Sequence, residues 1–301
     1  MDTTTSLLKE PEAKWGGKWT TEKLDAFSKY VSAYLTIMSK QKQWKTIYFD
    51  GFAGSGNRNK IKKSTLYTQL ELSIEDDHVY KGAAERILTL PNELSFDFHY
   101  FIDLHEESLK KLEEKLKPLQ ETKKNQFQYK AGDCNSYLKD LSNALKSKPN
   151  ELTALVLLDP FGMQIDWKSI ASLKDTRSDV WILIPTGVIV NRLLNKNGEL
   201  NHIEKLKSFF GISEEDIITY FYRKKNQATL FGDEDIIQKI SDPIEKIAEL
   251  YTLRLKTIWS NVTEKPLRLL NSKGVPIYHF VFASNNPTGV KIAKDIISTK
   301  K

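Results

Sequence analysis

The chain has 301 residues, enough for one large α/β domain with an insertion or for two domains. Its 45 Lys and Arg against 39 Asp and Glu leave a net charge of +6, a mild excess that suits an anionic partner such as nucleic acid without requiring one. Cys134 is the single cysteine, which excludes an internal disulfide framework and a cysteine-based zinc site, and no run approaches the ~20 apolar residues of a membrane span. No metal cluster and no signal peptide are expected, and a reducing cytoplasm is the expected compartment.

In chain order, residues 1–19 are polar and read as irregular. From Thr20 a helix is predicted, because Leu24, Phe27, Val31, Tyr34, Leu35 and Met38 fall at helical spacing, with Thr20 and Thr21 as caps. Ile47, Tyr48 and Phe49 suit a buried strand. It runs into Asp50-Gly51-Phe52-Ala53-Gly54-Ser55-Gly56, whose glycines let the backbone turn sharply and approach a ligand. No Gly-Lys-Ser/Thr follows, so this is not a triphosphate loop, and the glycine order departs from the dinucleotide fingerprint. An acid ahead of the glycines repels phosphate and suits an ammonium or sulfonium ligand. The basic stretch Arg58, Lys60, Lys62 and Lys63 reads either as a solvated loop or as a set of phosphate contacts.

A short helix over 81–90 is predicted next, and then an aromatic strand over 96–102 ended by Asp103, with Leu104 after it. The helix over 106–116 is expected to stop at Pro118. A strand over 127–130 precedes Gly132-Asp133-Cys134, and a helix follows over 136–145. The run 153–158 is continuously apolar, as a central parallel strand should be, and ends at Asp159-Pro160-Phe161-Gly162. A helix over 165–173 and a strand over 180–184 complete the series. This alternation predicts a parallel sheet with helices on both faces and a ligand site beyond the carboxyl ends of the strands. Asp50, Asp103, Asp133 and Asp159 then share one edge. Residues 196–264 break the rhythm and read as an inserted helical subdomain. Residues 267–270, a turn at Gly274 and residues 277–283 read as strand, hairpin and strand, and 288–298 as a closing helix.

The four acids match the groups of S-adenosylmethionine (SAM). Asp50 with Gly51, Phe52, Ala53, Gly54, Ser55 and Gly56 suits the methionine end. Asp103, with Leu104 beside it, suits the ribose diol, since a carboxylate offers two acceptor oxygens. Asp133 suits the adenine amino group, with the Cys134 amide near the ring. Asp159, Pro160, Phe161 and Gly162 then face the methyl. An amine accepting that methyl needs its N–H groups accepted and its lone pair aimed in line. Asp159 and the Pro160 carbonyl supply acceptors, and Phe161 a surface on which a base can stack.

Three stretches carry a family resemblance: Tyr48-Phe49-Asp50-Gly51-Phe52-Ala53-Gly54-Ser55-Gly56, Leu158-Asp159-Pro160-Phe161-Gly162-Met163-Gln164 and Tyr278-His279-Phe280-Val281-Phe282-Ala283-Ser284. Together they resemble the three-Cys-motif partner protein (TcmP) family, over most of the chain from Trp19 to Lys294. The resemblance implies a Rossmann-like class I SAM-dependent methyltransferase fold: a mostly parallel sheet, a C-terminal antiparallel hairpin and helices on both faces. The sequence pattern divides the chain into an N-terminal helical extension at 1–45, a Rossmann-like SAM-binding domain at 46–195 and 265–301, and the helical insertion at 196–264. The resemblance also implies a partner, encoded nearby, that carries a three-cysteine motif. The turn Asp159-Pro160-Phe161-Gly162 is similar to the Asp-Pro-Pro-Tyr of adenine-N6 and cytosine-N4 methyltransferases, with the aromatic one place earlier, and to the Asp-Pro-Phe-Gly of tRNA guanine-N2 methyltransferases. Residues 57–80 are inserted before the second strand, so Asp103 is assigned by strand order.

The expected function is therefore SAM-dependent methylation of an exocyclic amino group in tRNA, rRNA or DNA. Two alternatives remain: a methyltransferase for a small molecule or protein, and a non-catalytic SAM-binding subunit of a complex with the three-cysteine-motif partner.

Overall fold

The middle of the molecule is β1 (Lys45–Asp50), a strand buried along all but its first residue. The structure, a computed structural model, describes residues 17–54, 82–121, 123, 125–160, 162–195, 198, 200–229, 232–271 and 273–299. The expectations placed on Ser55, Gly56, Arg58, Lys60, Lys62, Lys63 and Phe161 lie outside the described residues. On one side β1 pairs in parallel with β2 (Phe98–Asp103), which pairs in parallel with β3 (Gln126–Ala131). On its other side it pairs with β4 (Leu152–Leu158), and β4 with β5 (Ser178–Ile184), again in parallel. The apolar run 153–158 is thus a central strand with both faces covered.

The sheet closes with reversed direction. Strand β10 (Pro276–Ser284) runs antiparallel to β5, from His279 opposite Ile184 to Ser284 opposite Asp179. Its far edge carries β8 (Asn261–Val262) at one end and β9 (Leu267–Leu270) at the other. The expected hairpin is β9, the turn at Gly274 and β10. The order across the sheet is β3-β2-β1-β4-β5-β10-β8, with β9 beside β8 on the edge of β10.

Alternation along β1 sets the two covering layers, because neighbouring side chains of a strand point to opposite faces. Tyr48 meets Phe27 of α1 (Gly17–Met38). Tyr30 and Tyr34 of the same helix pack on Phe282 and Phe96. Helix α1 also packs against α2 (Ala83–Leu88) and against the closing helix Pro287–Ser298. Phe49 points to the opposite face, covered by Cys134 at the start of a helix over Cys134–Ser147. That helix packs on the short helix Trp167–Ser172. In chain order the longer helices after α2 are α3 (Glu106–Gln120), α4 (Cys134–Ser147), α5 (Trp167–Ser172), α6 (Ile203–Phe210), α7 (Glu214–Phe221), α8 (Pro243–Leu255) and α9 (Pro287–Ser298), with short helical turns at Thr186–Val190 and Asn191–Leu193 after β5.

Three details differ from expectation. Helix α1 begins at Gly17, not at a threonine cap, and Thr20 is buried within its first turns because Trp19 stacks on Tyr278 and fixes that end. Helix α3 runs through Pro118 to Gln120. Proline there forfeits one bond near the exposed C-terminal end, and Gln120 donates from its amide to the Tyr129 hydroxyl. The segment 196–264 holds helices α6, α7 and α8, but also an antiparallel ribbon, β6 (Tyr222–Thr229) with β7 (Gly232–Lys239). Its sequence is charged and amide-rich, with no apolar alternation to signal a strand. Among the described residues no helix is long and apolar enough to cross a membrane.

Candidate active site at the C-terminal edge of the sheet

Four parallel strands in the order β3-β2-β1-β4 put their carboxyl ends side by side. Asp50 ends β1 and Asp103 ends β2, while Asp133 and Asp159 lie just beyond β3 and β4. The four acids therefore share one edge, as expected. The chain leaves β1 toward β2 on one side and reaches β4 on the other, so the winding switches direction between β1 and β4, the place where open α/β sheets receive ligands.

The glycine turn is bonded to both neighbouring strands. The Gly51 amide donates to the Leu157 carbonyl at 3.0 Å and the Ala53 amide to the Ile102 carbonyl at 2.9 Å. The Gly54 amide donates to Asp103 Oδ2 at 3.1 Å, and the His105 amide to Asp103 Oδ1 at 2.8 Å. Gly54 needs its glycine for a φ of +63°. Each Asp103 oxygen accepts one backbone N–H and retains a further lone pair for a diol. Leu104, next in the chain, is 66% exposed, a large apolar side chain held at the edge.

Asp50 sits deeper than the sequence suggests. It is 3% exposed, Tyr48 donates its phenol to Oδ2 at 2.9 Å, and the Phe52 amide donates to Oδ1 at 3.2 Å. Burial pushes its carboxyl up to about 7, against the opposing pull of those two hydrogen bonds. The Tyr48 phenol is held neutral by burial and by the adjoining Asp50 charge. Asp50 is thus an anchor for the turn, with both oxygens engaged inside the protein. Cys134 also points inward. A Cβ on Gly51 would lie 2.6 Å from Cys134 Sγ and 2.9 Å from Leu158 Cδ2, so the first turn of α4 packs directly on the glycine. Burial pushes the thiol up, and it stays protonated.

Asp133 caps α4, its Oδ1 accepting from the Asn135 amide at 3.1 Å and from Asn135 Nδ2 at 3.0 Å. Asn135, which the sequence reading missed, ties this cap to the loop after β4: its Nδ2 donates to the Gln164 carbonyl at 2.9 Å, and its Oδ1 accepts from the Asp166 amide at 2.9 Å. At the end of β4, Asp159 is 22% exposed, and Pro160 and Gly162 are buried.

A second missed residue is Lys23 of α1. It is 2% exposed, and its ammonium forms an ion pair and hydrogen bond with Asp159 Oδ2. The Trp19 ring lies 5.5 Å from Nζ. A signal existed: Lys23 stands four residues before Phe27 and one before Leu24, on the stripe that α1 buries.

The acceptors at this edge are of the kind that the diol and amino group of SAM would require. Acceptors at Asp103 and Asp133 flank an exposed apolar Leu104, and the turn that would approach the ligand is built on close backbone contacts to β2 and β4.

No protein-family model matches the chain, and no curated protein matches it. Among solved structures, protein LPL1258 from Legionella pneumophila is 14% identical, with 89% of this chain and 97% of that one covered and a TM-score of 0.40. Escherichia coli yhhF, provisionally assigned as a methyltransferase, is 14% identical over 70% of this chain and 86% of its own, with a TM-score of 0.28. Trm1 from Pyrococcus horikoshii, in a complex with SAM, is 10% identical over 93% of this chain and 67% of its own, with a TM-score of 0.34. Likeness at this level carries no argument about activity. The strand order itself defines the fold: five parallel strands ordered β3-β2-β1-β4-β5, then antiparallel β10 and an outer edge of β8 and β9, make this an α/β chain with a mostly parallel sheet.

Proposed function

We propose that the chain is a SAM-dependent N-methyltransferase of the three-Cys-motif partner type, acting on the exocyclic amino group of a nucleic-acid base. The observation that carries this reading is the acid edge: Asp103 is clamped by the amides of Gly54 and His105 beside exposed Leu104, and Asp159 stands at the end of β4, next to β1, where the sheet's winding switches direction.

In this reading Asp103 accepts the ribose hydroxyls, Leu104 lies on the adenine, and Asp133 accepts from the adenine amino group. Bound SAM supplies an electrophilic methyl group. The remaining work belongs to the chain. Asp159 and the Pro160 carbonyl accept the N–H groups of the target amine, which aims its lone pair at the methyl. Phe161 stacks on the base. Asp50 acts on the methionine end through the turn it anchors. Arg58, Lys60, Lys62 and Lys63 take phosphates of the substrate.

The test is calorimetric titration of SAM into the purified chain and into Asp103→Ala. Binding is expected for the wild type, weakened at least tenfold in the variant, because two ribose hydroxyls lose a charged acceptor. Absence of binding to the wild type sinks the reading. Transfer of labelled methyl to tRNA, rRNA and DNA is then measured with and without the three-cysteine-motif partner, and Asp159→Ala is expected to abolish transfer while SAM still binds.

A further inference from the structure

Cofactor binding by itself does not require the cation that α1 delivers to the acid edge. Resting on the methyl-transfer reading above, we propose that Lys23 sets the charge of the acceptor side of the site, so that it takes a neutral amine, such as the exocyclic amino group of a base, and disfavours an acceptor that arrives as an ammonium ion.

The argument is one of charge balance. Lys23 is buried to 2% exposure and paired with Asp159 Oδ2. Among the described residues Asp50, buried at the end of β1, also feels the pair: its carboxyl is raised chiefly by burial, with the Asp159 charge adding to the rise and the Lys23 charge opposing it. Tyr48, hydrogen-bonded to Asp50, stays a neutral phenol. Trp19, stacked on Tyr278 at 5.1 Å, places its ring beside the ammonium and shields it from water. An ammonium substrate entering a partly dry site needs an unpaired carboxylate to offset its lost hydration. At Asp159 that role is already filled by the protein's own lysine. A neutral amine needs only an acceptor for its N–H, and a paired carboxylate still has lone pairs to offer.

The test uses three ligands that share one binding frame and differ in charge at the reacting position: SAM, a sulfonium cation; S-adenosylhomocysteine, neutral there; and sinefungin, which carries an amine there. Each is titrated calorimetrically into the full chain as wild type, Lys23→Met, Lys23→Arg and Asp159→Asn. In Lys23→Met the affinities of SAM and sinefungin relative to S-adenosylhomocysteine are expected to rise roughly tenfold, the scale of one uncompensated charge at short range. In Asp159→Asn the same ratios are expected to fall, and in Lys23→Arg to stay put. If Lys23→Met does not fold, Asp159→Asn decides alone, because its amide oxygen still accepts from Lys23. Unchanged ratios with the cofactor still bound overturn the role of Lys23 and leave the cofactor reading standing. A wild type that binds none of the three overturns both.

Discussion

At the scale of single residues, the edge is built from contacts with no slack. Gly51 abuts Cys134 and Leu158 so closely that any Cβ forces one of them to move. Gly51→Ala is therefore expected to cost about 1–3 kcal/mol, the usual range for overpacking. Urea midpoints would show it, and Cys134→Ala in the same chain should return part of the loss, because it removes the nearest atom. The residue types Gly51, Gly54, Asp103 and Asp159 were readable from the strand-end pattern alone. Lys23 showed only as a position on the buried stripe of α1 and Asn135 not at all, and the partner of each lies more than 25 residues away in sequence, where only folding brings it near. Asp50 was readable as an acid of the turn but not as a buried one. Its depth follows from Tyr48, whose phenol reaches back to it on the same face of β1.

Among the elements, the regular ones behaved as their periodicity required: α1 buries its stripe, and β4 is apolar but for Thr153. The segment 196–264 is held to the body by a different device. Arg254 of α8 donates to the Phe210 and Gly211 carbonyls at 3.0 Å each, closing the C-terminal end of α6, and its guanidinium lies 4.6 Å from the Trp167 ring of α5. One side chain thus links three helices. A lysine keeps the charge but not the planar fork or the stacking. Arg254→Lys is expected to lose about 1–2 kcal/mol, seen as a lower midpoint in urea, while Arg223→Lys on the ribbon serves as the control and stays within about 0.5 kcal/mol. The ribbon β6–β7 escaped notice because its charged and amide-rich sequence has no apolar alternation; backbone pairing defines it.

For the whole molecule, the buried titratable groups set how stability follows pH. Asp50 is raised from 3.8 to about 7 by burial, so the folded chain holds a proton there that the unfolded chain has released. Its contribution is full below about pH 4 and is lost as pH rises toward 7. His99 acts in the opposite sense. It is fully buried among Tyr48, Phe96, Phe101 and Phe127, and burial lowers it from 6.5 to about 3. Its contribution is full above pH 6.5 and is lost as pH falls toward 3. Asp50→Asn is accordingly expected to gain stability relative to wild type between pH 4 and pH 8, by about 2–4 kcal/mol, and His99→Phe to gain relative to wild type as pH falls from 7 to 4; urea titrations at three pH values check both signs. By itself the sequence determined the alternation of strands and helices, hence the parallel sheet, and the placing of four acids at its carboxyl edge, because period and turn chemistry are local properties. Tertiary structure alone decided which of those acids are buried, which carry a cation, and what α1 is for. Burial and pairing depend on what lies across the fold, and nothing local to Asp159 reports that Lys23 will reach it.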